Sequence, residues 1–74
     1  MDLLVVTGRN IRFYRKLRKW SIEKLAEEAR VSPAWLGELE RGRENVSVKT
    51  IQGIAKALKI APNILLIQES HKES

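Results

Sequence analysis

Apolar positions recur at helical spacing along most of this chain, and caps and breakers divide them into five pieces. Two short pieces between Ser21 and Gly42 are the clearest. In residues 22–29, Ile22, Leu25, Ala26 and Ala29 share one face, and Ser21 stands one residue ahead as an N-cap. The turn is Arg30-Val31, with Val31 directed inward. Ser32-Pro33 opens the next helix: Ser caps it, and Pro takes the first helical position, where a missing N–H costs nothing. Leu36 and Leu39 face the core. Gly42 ends the helix because glycine enters the left-handed region without strain. Two helices this short and this close cross steeply and leave one face of the second exposed. This is the helix-turn-helix layout, in which the second helix lies in the major groove of DNA.

The flanking pieces are less sharply bounded. Residues 2–18 are predicted as a first helix, with Leu4, Gly8, Ile11 and Arg15 on one side and Tyr14 extending it. Gly8 is placed to let a neighbouring helix come close. The run 3–6 also suits an extended arm. The helix is preferred because a second stripe, Val6, Asn10, Phe13, Leu17 and Trp20, continues at near-heptad spacing. That stripe is either covered by the C-terminal segment or forms part of a partner surface. Residues 43–47 read as a loop. Ser47 caps a fourth helix over 48–59 whose stripe is Val48, Ile51, Ile54, Ala55 and Leu58, with Lys56 and Lys59 at its negative end. Ala61-Pro62 opens a last short helix reaching Ile67. It is apolar nearly all round and must bury two sides. One side meets the core; the other, through Ile64, Leu65 and Ile67, suggests a homodimer interface. The expected architecture is all-α: a compact five-helix domain over residues 1–69, with a polar tail at 70–74.

Composition narrows the function. The 74 residues carry a net charge of +5 and a pI near 10, which favours a polyanionic partner. Within residues 1–19, six cations (Arg9, Arg12, Arg15, Lys16, Arg18 and Lys19) face only Asp2 and hold the whole excess, so this is a basic end on a neutral body. The longest apolar runs, 3–6 and 64–67, are four residues each, far short of a membrane span. Cysteine is absent, which suits a reducing cytoplasm, the expected location. An enzyme is not expected. The single histidine, His71, lies in the tail, no Ser has a plausible base beside it, and no metal-ligand set is visible. No cofactor and no small-molecule ligand are expected.

From Gly8 to Leu66 the chain resembles the lambda-repressor-like helix-turn-helix family, the Cro and phage-repressor (XRE) type. The resemblance rests on an ordered set: Gly8, Ile11-Arg12, Arg15, Ser21, Leu25-Ala26, Val31-Ser32, Leu36, Glu40-Arg41-Gly42, Asn45-Val46-Ser47, Ile54-Ala55, Ala57-Leu58 and Leu65-Leu66. The motif E-R-G followed by N-V-S is similar to that of stand-alone regulators such as restriction-modification controller proteins. The resemblance implies a double-stranded DNA partner, a homodimer on a pseudo-palindromic operator, and a partly buried ion pair between Arg15 and Glu40. It puts Pro33, Ala34, Trp35, Gly37 and Glu38 at base-reading positions. Ala34 can touch a thymine methyl, and Glu38 can accept from a cytosine amino group. The alternative for Glu38 is a pair with Arg41 at i+3. Trp35 either packs on sugars and thymine methyls or lies back on the second helix. Ser21, Arg41, Arg43, Asn45, Ser47 and Lys49 are the phosphate candidates.

Several positions depart from the family pattern. Lys19 and Arg30 stand where the family often has glycine after a helix, so either each holds a left-handed backbone at about 1 kcal/mol against glycine or the turns differ here. Glu44 replaces a common cation, and Ile22 a common glutamine. The competing function is a protein-interaction module, such as an antitoxin or accessory subunit, using Phe13, Leu17 and Trp35 as its contact surface.

Overall fold

In the computed structural model, which describes residues 2–68, each of the three predicted N-caps closes the helix it precedes, and Asp2, expected as the first residue of the first helix, caps it instead. Asp2 accepts from the N–H of Leu4 at 2.9 Å and starts α1, Leu3–Leu17. Ser21 accepts from Lys24 at 3.0 Å and starts α2, Ile22–Ala29. Ser32 accepts from Trp35 at 3.2 Å and starts α3, Pro33–Glu40. Ser47 accepts from Thr50 at 3.1 Å and starts α4, Val48–Leu58. The extended arm considered for the run 3–6 is not formed; those residues are the first turn of α1.

The helix ends share one device. In each, the first or second residue past the helix lies in the left-handed region, and the next N–H reaches back over a full turn. Trp20 N–H bonds Arg15 O (3.1 Å), Val31 bonds Ala26 O (2.9 Å), Arg43 bonds Glu38 O (3.0 Å) and Ile60 bonds Ala55 O (3.0 Å). These are Schellman closures, which satisfy carbonyls that would otherwise be orphaned. Lys19, Arg30 and Lys59 all adopt φ 59°, so the left-handed backbone is the alternative taken at 19 and 30, and Lys59 adds a third case. Only Gly42, at φ 74°, carries the residue type that the conformation favours. It has a second reason to be glycine: a Cβ there would sit 3.0 Å from Val5 Cα.

The core is built from Ile11, Leu25, Leu36, Leu39, Ile54, Leu58 and Leu65, each essentially without solvent exposure. α1 packs on α3 and on the C-terminal turn, while α2 packs on α3 and α4. The α1–α3 crossing depends on Gly8. A Cβ at this position would come within 2.3 Å of Leu39 O and 2.8 Å of Glu40 O, so no other residue fits without separating the helices.

Three expectations are corrected. The fifth element is a five-residue 3-10 turn, Pro62–Leu66, so the domain has four α-helices. A side chain of α1 holds its C-terminal carbonyls. The Asn10 amide donates to the oxygens of Leu65 (2.9 Å), Ile67 (2.8 Å) and, more weakly, Ile64 (3.3 Å). Secondly, Leu65 points into this chain's own core and is fully buried, so it is not free to meet a partner. Thirdly, Val48 is 71% exposed: as the first residue of α4 it precedes the turn that reaches the core. The tail at 70–74, with His71, lies outside the described residues.

Candidate nucleic-acid interface

The helix-turn-helix is closed by two local devices two residues apart. Arg30 in the left-handed region reverses the chain, and Ser32 caps the next helix. Leu25, Ala26, Leu36 and Leu39 then lock α2 and α3 together from inside. Pro33 and Ala34 are exposed at the start of α3. Trp35 is half-buried and packs against the core, which agrees with the alternative in which it lies back as structure.

Gly37 is not outward-facing, contrary to expectation; it is buried. A Cβ on it would lie 3.5 Å from Arg41 Nη1 and 3.8 Å from Ile22 Cδ1, in the crevice between α3 and the start of α2. Both are ordinary contact distances, so the Arg41 side chain and Ile22 cover Gly37 without requiring glycine there.

Arg15 and Glu40 form a bidentate pair, Nε to Oε2 at 2.7 Å and Nη2 to Oε1 at 3.0 Å, with side chains 11% and 5% exposed. Arg15 Nη1 also donates to Trp20 O at 2.9 Å. One side chain thus ties the end of α1 to the end of α3 and to the closure before α2. α3 is held in orientation by a largely buried guanidinium that bonds through all three of its nitrogens. Removing one member of such a pair strands the other charge.

The charged groups on the outer side behave differently. Glu38 Oε2 lies 3.2 Å from Arg41 Nη1 and 3.7 Å from Arg43 Nη1. All three side chains are substantially exposed, at 44%, 62% and 68% respectively. The i+3 pair considered for Glu38 is therefore present, and Arg43 joins it. Ser21, Asn45, Ser47 and Lys49 are exposed around the starts of α2 and α4 and the loop before α4. The Ser47 hydroxyl also donates to Thr50 Oγ1 at 2.9 Å.

Beside α2, Lys24 bonds Glu28 at 2.8 Å; this hydrogen bond, and then the charge attraction, raises the Lys24 pKa and lowers that of Glu28. Sequence reasoning missed the setting of Trp20, whose ring has the Arg18 guanidinium at 4.7 Å and the Lys24 ammonium at 5.6 Å. It also missed the Asn10 clamp, whose one available signal was a polar residue in an otherwise apolar stripe.

Ile64 is half-buried, whereas Ile67 is 45% and Leu66 40% exposed, leaving an apolar edge on the C-terminal turn. Among the described residues there is no cluster of His, Cys, Asp or Glu able to hold a metal ion, and no helix long and apolar enough to cross a membrane.

A helix-turn-helix family model matches residues 11–65. The control protein C.SmaI of Serratia marcescens is 33% identical over 72 residues, covering 97% of this chain and 86% of that protein. The immunity repressor protein of Bacillus phage phi105 is 35% identical over 66 residues, or 89% of this chain but 46% of the repressor. The chain thus spans about half the length of that relative. The crystal structure of the restriction-modification controller protein C.AhdI from Aeromonas hydrophila superposes with a TM-score of 0.81 at 37% identity, covering 84% of this chain and 94% of that one. These relatives are regulators, not enzymes. Matched over most of its length, the chain belongs to the helix-turn-helix family of the phage-repressor (XRE) type.

Proposed function

We propose that the chain is a sequence-specific, double-stranded-DNA-binding transcriptional regulator. It binds a pseudo-palindromic operator as a homodimer, with α3 in the major groove, and works in the cytoplasm. The observation that carries this reading is the rigid presentation of α3. The Arg15–Glu40 pair and a dry core fix its inner face, while Pro33, Ala34 and Glu38 remain on its outer side. The names of the control proteins and the phage repressor support the same class.

In this reading Ala34 meets a thymine methyl, and Glu38 accepts from a cytosine amino group. Arg41, Arg43, Asn45, Ser47, Lys49 and Ser21 serve the phosphates, setting register and affinity. Trp35 supports the helix rather than touching bases, and Gly37 lies beneath Arg41. With so few groups able to make bidentate base contacts, DNA shape and half-site spacing carry part of the selectivity. One module reaches only a few base pairs, so two copies join through Ile64, Leu66 and Ile67 to read half-sites about one helical turn apart.

Selection of binding sites from a random duplex library by the purified chain, near physiological salt, tests this. The expected result is an enriched inverted repeat. Arg43→Ala should then weaken binding about equally on all sequences and reduce the salt slope by about 1. If no sequence is enriched, the reading fails and the protein-interaction alternative takes its place, with the 65%-exposed Leu17 as the first residue to test.

A further inference from the structure

The last turn of α3 differs from the other three helix ends in one respect. In a Schellman closure, the residue after the left-handed position is carried back over the residue five before it, and that contact is usually apolar. Trp20, Val31 and Ile60 occupy this place after α1, α2 and α4. After α3 the place is taken by Arg43, and the residue beneath it is Glu38. The backbone bond from Arg43 N–H to Glu38 O, 3.0 Å long and made possible by Gly42 at φ 74°, brings the two side chains together. Arg41 arrives at the same carboxylate oxygen from three residues along the helix. The fold therefore brings the backbones of Glu38 and Arg43 together, while the charged ends of both side chains stay exposed.

The consequence is electrostatic. Glu40 is consumed by Arg15, and α3 itself carries no cation. Glu38 is thus the charge that α3 presents outward, and two guanidiniums suited to phosphate are engaged with it. Exposed pairs of this kind are weak, so a phosphate can take either arginine from the carboxylate. The carboxylate then stands uncompensated beside the polyanion. On a sequence that offers a cytosine amino group to Glu38, the repulsion is offset; on any other sequence it is not.

On the regulator reading above, we infer that Glu38 is an electrostatic brake: it holds Arg41 and Arg43 in the free chain and selectively weakens binding to duplexes of arbitrary sequence. It acts on phosphate contacts through the two arginines, in addition to any base it touches.

The test titrates the full chain against a mixed-sequence duplex, and against the duplex that selection enriches, over a salt series by fluorescence anisotropy. Glu38→Gln should bind the mixed-sequence duplex about three- to tenfold tighter. Its salt slope should steepen by about 1. Preference for the enriched duplex should fall. Glu38→Asp, which keeps the charge, should gain much less on the mixed-sequence duplex than Glu38→Gln does, and adding Arg43→Ala to Glu38→Gln should remove most of the gain. If Glu38→Gln leaves mixed-sequence affinity and slope unchanged, the inference is overturned. The same holds if its only effect is weaker binding to the enriched duplex, since Glu38 would then be a base reader alone. If the wild-type chain binds neither duplex, the regulator reading fails, and the brake with it.

Discussion

Lys19, Arg30 and Lys59 each end a helix at φ 59°, a conformation that costs an L-residue with a Cβ roughly 1–2 kcal/mol. The hydrogen bonds that close each helix hold them there, because relaxing φ would break two backbone bonds at once. This is a small store of strain that glycine would relieve. Lys59→Gly should stabilise the chain by about 1 kcal/mol, after allowing for the greater freedom of glycine in the unfolded state. For a domain of this size, that raises Tm by about 4–8 °C in thermal unfolding followed by circular dichroism. Lys59→Ala, which keeps the Cβ, should give little of that gain. An equal gain from both substitutions would put the cause in the charge and not in the backbone.

Among the elements, the C-terminal turn is the one least able to hold itself. Five residues of 3-10 helix have few internal bonds, and Pro62 supplies no N–H. One side chain of α1 compensates. Asn10 is 2% exposed, and its amide is shared among three carbonyls of residues 64–67. Removing it leaves those buried or half-buried oxygens without their donor. Asn10→Ala should therefore cost about 2–3 kcal/mol in urea denaturation. The C-terminal turn should loosen first, so the chain should also lose dimer affinity before it loses the helices of the core. A loss below about 0.5 kcal/mol would mean that water replaces the amide and the clamp is not structural.

At the scale of the whole molecule, two surfaces remain after the core is built. One is the outer side of α3 with its arginines; the other is the apolar edge at Leu66 and Ile67. Ile67 is 45% exposed in the single chain, so a charge there costs the monomer little but would be buried unpaired between two copies. Ile67→Asp should leave the helical content unchanged and shift the chain to monomer in sedimentation equilibrium. Binding to an enriched inverted repeat should fall with it, and binding to a half-site should not. A variant that remains dimeric would move the interface elsewhere, to the 65%-exposed Leu17 at the far end of α1.

The helices and the framework of the candidate site were legible in the sequence because the signals are local. Three caps, two prolines and one glycine act within a turn of where they stand, and the stripe of α2, with that of α4 from Ile51 onward, follows from helical period alone. The Arg15–Glu40 pair was legible by resemblance, and so, as one of two alternatives, were the left-handed Lys19 and Arg30 from the glycines they replace. What period alone did not decide was which of several available faces would be covered. The second stripe of α1 divides: Val6 and Asn10 are buried, whereas Leu17 is open, because the C-terminal turn ends near the middle of that helix. Leu65 and Gly37 moved from expected surface to interior for the same reason: their burial depends on a neighbour far away in sequence or across a helix crossing. The partner of Glu38 was half-visible. The i+3 arginine is a matter of spacing, but Arg43 reaches the carboxylate only because Gly42 turns the chain back on itself, and that is geometry the tertiary structure decides.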